Sequence, residues 1–230
     1  MKKFALLFII LAPLYGQDFG YSYYNITDFR SLGVSYNFQN FSPISIATIP
    51  DSLRIRFTTN LPAIEYREVG TRIAIGYQEY VLQGRTLSSF SVYMESANDF
   101  PLTGKEQQNG FFIPIKLSAN YVKAENPFPG QRNFDVGSLG IGGGLKYRFV
   151  TRRFAVQAFG MGALHFSNVG FGTEYGTQTS LTGEVQLIIP EIFYDGLVIG
   201  YRYESQQWNM NDSILDCKRY YHGPFIGIFF

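Results

Sequence analysis

From Thr71 to the C-terminus, apolar and polar side chains alternate with a period of two, in stretches separated by turn residues. "VGSLGIGGGLKYRFV" (Val136 to Val150) sets Leu139, Ile141, Leu145, Tyr147 and Phe149 on one face. Ser138, Gly140, Gly142, Gly144, Lys146 and Arg148 lie on the other. The same alternation runs through Arg153 to Asn168, Thr177 to Ile189, Gly196 to Trp208 and Lys218 to Phe230. Earlier, Thr71 to Leu82, Thr86 to Ser96 and Phe111 to Val122 read as strands. Pro114 in the last of these suits an edge or a bulge better than a central ladder position. Arg30 to Phe38 and Leu53 to Arg67 bring the count from eight to ten. With eight strands, Gln17 to Asn60 would be an N-terminal extension; the reading preferred here is ten. The stretches Asn98 to Gly110, Lys123 to Asn133 and Asn209 to Asp216 are polar and turn-rich, and read as loops.

Composition sharpens this all-β reading. The 230 residues include 22 Phe, 17 Tyr and 24 Gly, while mean hydropathy is near zero. A sheet with one apolar and one polar face averages to that value. The N-terminus, MKKFALLFIILAPLYG, has a positive start, a short apolar run and a small residue at Gly16, which is the layout of a signal peptide over residues 1–16. Residues 17–230 then form a single domain. The formal net charge of +1 suggests no nucleic-acid partner. The lone Cys217 permits no internal disulfide, and no Cys or His cluster suggests a metal or other cofactor.

The polar faces carry Gly, Ser, Thr and Gln with charges of both signs: Lys146, Arg148, Glu184, Arg202 and Glu204. Such charges can neutralise one another across a narrow lumen. On a lipid-facing surface an Arg or Lys would cost ~2–4 kcal/mol at the midplane. Tyr121, Tyr147, Phe149, Tyr194, Trp208, Tyr220 and Tyr221 lie near strand ends, where aromatic girdles meet the membrane interfaces. Together these features predict a closed antiparallel transmembrane β-barrel.

The last strand, YYHGPFIGIFF, places Tyr220, Pro224, Ile226, Ile228 and Phe230 on one face and ends on Phe. It resembles the C-terminal signature of bacterial outer-membrane proteins, and the chain as a whole looks like a small OmpA- or OmpX-type barrel. The resemblance implies a bacterial outer-membrane location, contact with outer-membrane lipid and lipopolysaccharide, and recognition by the barrel-assembly machinery through the C-terminal strand. A second, local resemblance concerns "LHFSNVG" (Leu164 to Gly170), which looks like the H-x-S-N motif of the PagL-type lipid A deacylases. It would make His165 the general base and Ser167 the nucleophile, with Glu174 the candidate orienting carboxylate. Phe159, Met161, Ala163, His165 and Ser167 share one parity, read here as a lipid-facing stripe. In that family the motif lies on the penultimate strand; here two further strands follow the next one.

Three functions follow as expectations. The first is a non-enzymatic outer-membrane barrel with a structural, adhesive or narrow-pore role. The alternatives are a lipid A acyl hydrolase and a soluble periplasmic lipid-binding barrel.

Overall fold

The computed structural model describes residues 29–44, 54–103, 109–126, 128, 132–151, 153–170, 172, 174–190 and 196–230. The signal-peptide segment and Tyr194 lie outside them. Ten strands follow in chain order: β1 (Ser31–Pro43), β2 (Phe57–Glu68), β3 (Thr71–Leu82), β4 (Arg85–Pro101), β5 (Gly110–Ala124), β6 (Phe134–Val150), β7 (Ala155–Val169), β8 (Tyr175–Pro190), β9 (Gly196–Met210) and β10 (Cys217–Phe229). Every neighbouring pair is antiparallel, and β10 pairs with β1, so the sheet closes on itself. Closure gives backbone polar groups an internal partner, which a spanning sheet needs because hydrocarbon offers no water.

Several strands run longer than the alternation indicated, while β2 starts at Phe57 rather than Leu53. β4 continues through residues 98–101, read above as loop, because Asp99 and its neighbours pair with β5. β1 gains five residues beyond Phe38, up to Pro43. Of the other two polar stretches, 125–133 lies between β5 and β6, and the one after Met210 contains a short 3-10 turn, Ser213–Leu215. Gln83 and Gly84 both take positive φ, at 53° and 72°. Two such residues make the I′-type turn whose twist suits a hairpin.

Prolines mark where the ladder is thin. Pro114 occupies a central strand, with no bulge: the β5–β6 ladder stops at Phe112↔Lys146 and resumes at Ile115↔Gly143 in unchanged register. The missing N–H costs local bonds and leaves the pairing intact. Pro62 has a larger effect. The β2–β3 ladder runs only from Glu68↔Thr71 to Ala63↔Gly76. Beyond it, residues 57–62 stay paired to β1 and residues 77–82 to β4, but not to each other. The wall therefore has a seam there, bridged on the inside by the stacked rings of Phe57 and Tyr80, 4.0 Å between centroids.

Exposure along each strand separates two faces. Leu32, Val34, Ile64, Ile75, Ile115, Leu139, Ile141, Leu164, Leu181, Val185, Ile226 and Ile228 point outward and are exposed. A continuous apolar surface around a whole barrel far exceeds the patch a water-soluble monomer carries, and it matches the band of a transmembrane barrel. Toward the end that bears the 44–56 and 125–133 connections, called here the loop end, the polarity inverts. Thr58, Asn60, Glu79, Thr177, Thr179 and Asn209 face outward and are exposed. Inside at the same level, Phe41, Phe57, Tyr80, Phe134, Trp208 and Met210 form an apolar cluster.

Trp208 and Tyr221 are therefore corrections to the girdle reading: both point into the barrel, Trp208 being fully buried. Parity places them there, and at the loop end parity carries apolar residues inward because water lies outside. Tyr147 and Phe149 face outward as expected.

In detergent or lipid, amide hydrogen exchange is expected to be faster in Tyr77–Leu82 than in Thr71–Gly76 of the same strand. Equal protection along all of β3 would contradict the seam.

Candidate functional site

The interior below the aromatic cluster is filled by charge. Arg202 on β9 reaches Glu95 on β4 (3.0 Å), Glu184 on β8 (2.9 Å) and Glu204 beside it (2.9 Å). Arg67 on β2 bridges Glu184 (2.7 Å) and Glu65 (2.8 Å), and Arg72 on β3 also holds Glu65 (2.8 Å). Lys116 on β5 lies 3.5 Å from Glu95. Asp99 accepts from both Lys146 (2.7 Å) and Arg148 (2.8 Å) on β6. Arg202, Glu184 and Glu204 do neutralise one another, as neighbours on β8 and β9, while the pairs that cross the lumen are Arg202 with Glu95 and Arg67 with Glu184. Lys146 and Arg148 instead pair with Asp99, a residue the sequence reading left in a loop.

Glu65, Arg67, Arg72, Glu95 and Lys116 also belong to the network and were missed. Their signal was parity: each is a charged residue on the face opposite the lipid-facing apolar residues of its own strand. Rings complete the packing, with the Arg67 guanidinium 3.5 Å over Phe225 and Arg202 5.4 Å from the Tyr93 ring. Counting all strand residues that face this space, Arg67, Arg72, Lys116, Lys146, Arg148, Arg202 and Arg219 outnumber Glu65, Glu95, Asp99, Glu184 and Glu204 by two.

At the opposite end, where Phe29 lies, a cavity of about 80 Å³ leads into this network; Arg67, Arg72, Lys146 and Arg148 line it with Glu95, Asp99 and Glu184. It is a vestibule that ends on the ion pairs. Above them the plug is closed by ring contacts: Phe41 on Phe57 (5.2 Å), Phe41 on Phe134 (5.0 Å) and Phe134 on Trp208 (5.2 Å).

His165 and Ser167 do not form the lipid-facing pair that the motif suggested. Both face the interior and are buried, while Leu164 and Phe166 between and beside them face outward. The parity was right and the side was wrong, because Met161 on the same stripe is also internal. His165 Nδ1 lies 3.3 Å from the Gln178 backbone oxygen, and Nε2 lies 2.8 Å from Ser118 Oγ. A carbonyl can only accept, so Nδ1 carries the proton, and Nε2 shares a hydrogen bond with the Ser118 hydroxyl. Gly140 makes room for this ring, since a Cβ there would overlap it. Ser167 Oγ is hydrogen-bonded to Ser138 Oγ (2.7 Å), which also accepts from Trp208 Nε1 (3.3 Å). Glu174 lies in the β7–β8 connection and accepts from the Arg132 guanidinium, which the carboxylate in turn stabilises in its charged form. The structure thus pairs His165 with Ser118 and Ser167 with Ser138, and sets Glu174 apart from both. Among the described residues, no group of His, Cys, Asp and Glu is arranged to hold a metal ion.

No protein-family model matches the chain, and no curated protein matches it. Solved structures similar to it include Ail, the attachment invasion locus protein of Yersinia pestis, at 11% identity and a TM-score of 0.30, covering 88% of this chain and 99% of that one. Another is the outer membrane protein Omp33 of Acinetobacter baumannii, at 9% identity and a TM-score of 0.25, covering 89% and 99%. Likeness this low carries no argument about activity. The chain's own ladder and surface do carry one: an even-stranded, closed antiparallel barrel with an apolar exterior and a charged interior has the architecture of a small outer-membrane barrel.

Removing a partner from a buried ion cluster leaves uncompensated charge, at a cost of ~3–5 kcal/mol. Arg202→Met is therefore expected to lower unfolding stability in urea by about that amount. Arg30→Ala removes an exposed pair with Glu68 (3.0 Å) and should change stability by less than ~1 kcal/mol. Similar losses for the two variants would contradict the network's role.

Proposed function

We propose that the protein is a non-enzymatic, non-conducting barrel of the bacterial outer membrane, a rigid anchor that presents its longer connections at the cell surface. The observation that carries this reading is the double closure of the lumen, by the ion-pair network in the middle and the Phe41, Phe57, Phe134 and Trp208 cluster toward the loop end. A path for ions or solutes would have to cross both. Between the structural, adhesive and narrow-pore roles, the plug disfavours the pore.

The exposed apolar band likewise disfavours a soluble lipid carrier, which needs its apolar surface inside a calyx. The acyl-hydrolase reading is disfavoured by the burial of Ser167 and its bond to Ser138, which keep the hydroxyl from a lipid substrate. The long connections lie on the outer side, since barrels of this class keep short turns in the periplasm. The outward residues of β10, from Pro224 through Ile226 and Ile228 to Phe230, are free to meet the assembly machinery and then lipid.

In planar bilayers the purified protein is expected to give no stepwise current. A combined Phe41→Ala, Phe134→Ala and Trp208→Ala variant keeps the ion-pair plug and should remain closed as well. Steady ohmic channels from the wild type would overturn the reading. Lipid A from cells expressing the wild type or Ser167→Ala is expected to be identical by mass spectrometry. Loss of an acyl chain with the wild type alone would restore the hydrolase.

A further inference from the structure

Arg219 on β10 is the buried cation that the ion-pair network leaves out. It is 3% exposed, and among the described residues no carboxylate lies within salt-bridge distance of it. Its guanidinium donates to Gln39 Oε1 (2.9 Å), Ser91 Oγ (3.4 Å) and Gln206 Oε1 (3.5 Å), all neutral groups, and its Nε–H has no partner. The nearest acidic groups are already engaged. Glu204 is bonded to Arg202 and Gln206, and Glu65 to Arg67 and Arg72.

Arg219 lines a cavity of about 20 Å³ beside the point where the β2–β3 ladder ends, against Leu61, Ala63 and Gly76. That volume holds one water-sized particle. Arg72 lines the same cavity, and its Nη1 is likewise without a partner. No carboxylate is among the lining residues. Two buried guanidinium groups thus line one small space, and each has an N–H without a partner.

Asn120, also in the lining, supplies a third donor. Its Nδ2 donates to Gln178 Oε1 (3.0 Å), while Asn120 Oδ1 and Gln178 Nε2 are both unbonded. Turning both amides over preserves the bond between them and leaves Asn120 Nδ2–H as the unbonded atom; the two orientations look alike to the backbone. A water molecule would satisfy these donors and leave the Arg219 charge facing only the Tyr221 ring, 4.9 Å from its guanidinium. An anion satisfies the donors and offsets the charge, and among the described strand residues that face the interior cations outnumber carboxylates by two. Burying that excess without a counter-charge is costly.

We propose that this cavity is a binding site for a monatomic anion of the chloride class, held between Arg72 and Arg219. Arg72 is also part of the vestibule wall.

The test uses the full barrel refolded in detergent. Thermal unfolding is followed while potassium bromide replaces potassium gluconate at constant ionic strength. The wild type is expected to show a saturable rise in Tm, of about 3–6 °C at tenfold excess over half-saturation. Arg219→Gln should lose the halide-specific rise, and Arg30→Gln should keep it. In crystals grown with bromide, an anomalous peak is expected between Arg72 Nη1 and Arg219 Nε. No halide-specific shift, an equal shift in Arg219→Gln, or an empty cavity in the bromide crystals would overturn the proposal. If Arg219→Gln does not fold, the bromide peak in the wild type decides alone.

Discussion

Hydrocarbon contains no hydrogen-bonding partner, and that single constraint organises this chain from wall to lumen. It requires the ten strands to close, because an open edge would leave unpaired N–H and C=O groups facing lipid. It sends Leu, Ile and Val outward along the band and pushes charge inward, where Arg67, Arg72 and Arg202 meet Glu65, Glu95, Glu184 and Glu204. Where the strands leave the membrane, the solvent outside becomes water and the preference reverses. On β9 the outward row runs Leu197, Ile199, Tyr201 and Tyr203, then Ser205, Gln207 and Asn209. The inward row ends on Trp208 and Met210. One strand with one unbroken parity thus changes the chemistry of both faces along its length.

The packing consequences follow from that reversal. A lumen that is charged in the middle and aromatic toward the loop end is filled twice, by different physics. The ion pairs are geometrically strict, since each carboxylate must meet its cation in a space with little water. The rings are held by area and stacking. Buried ion pairs are weak evidence for stability, yet they fix which strands face one another across the lumen. Arg202 bridges β9 to β4 and β8 in this way. At the Pro62 seam the ladder ends while the packing continues, and the inner cavity with its two guanidinium groups sits at its end.

Much of the fold was legible in the sequence because strand parity is a strict code. Thr71–Leu82 matches β3 at both ends, and β6 through β10 fall within two or three residues of their alternation limits. The code says which residues share a face and is silent on which face meets lipid. That is why His165 and Ser167 were grouped correctly with Met161 and placed on the wrong side, and why Trp208 and Tyr221 were read as girdle residues. Contacts between strands that are not adjacent are a second blind spot. Ser118 meets His165 over Gly140, which pairs with both of them in the ladder, and no spacing in the chain encodes it. Asp99 was lost for a third reason: Asn98 to Gly110 is polar and turn-rich, and only pairing with β5 extends the strand through its start.

The chain has one tryptophan, and its place in the plug makes it a probe of the central claim. In vesicles of lipids with brominated chains, native Trp208 fluorescence should be almost unquenched, because the ring is sealed inside the barrel. A Leu164→Trp substitution in a Trp208→Phe background should be strongly quenched from the lipid-facing band. Strong quenching of the native residue, or none at position 164, would contradict an apolar exterior wrapped around a sealed interior.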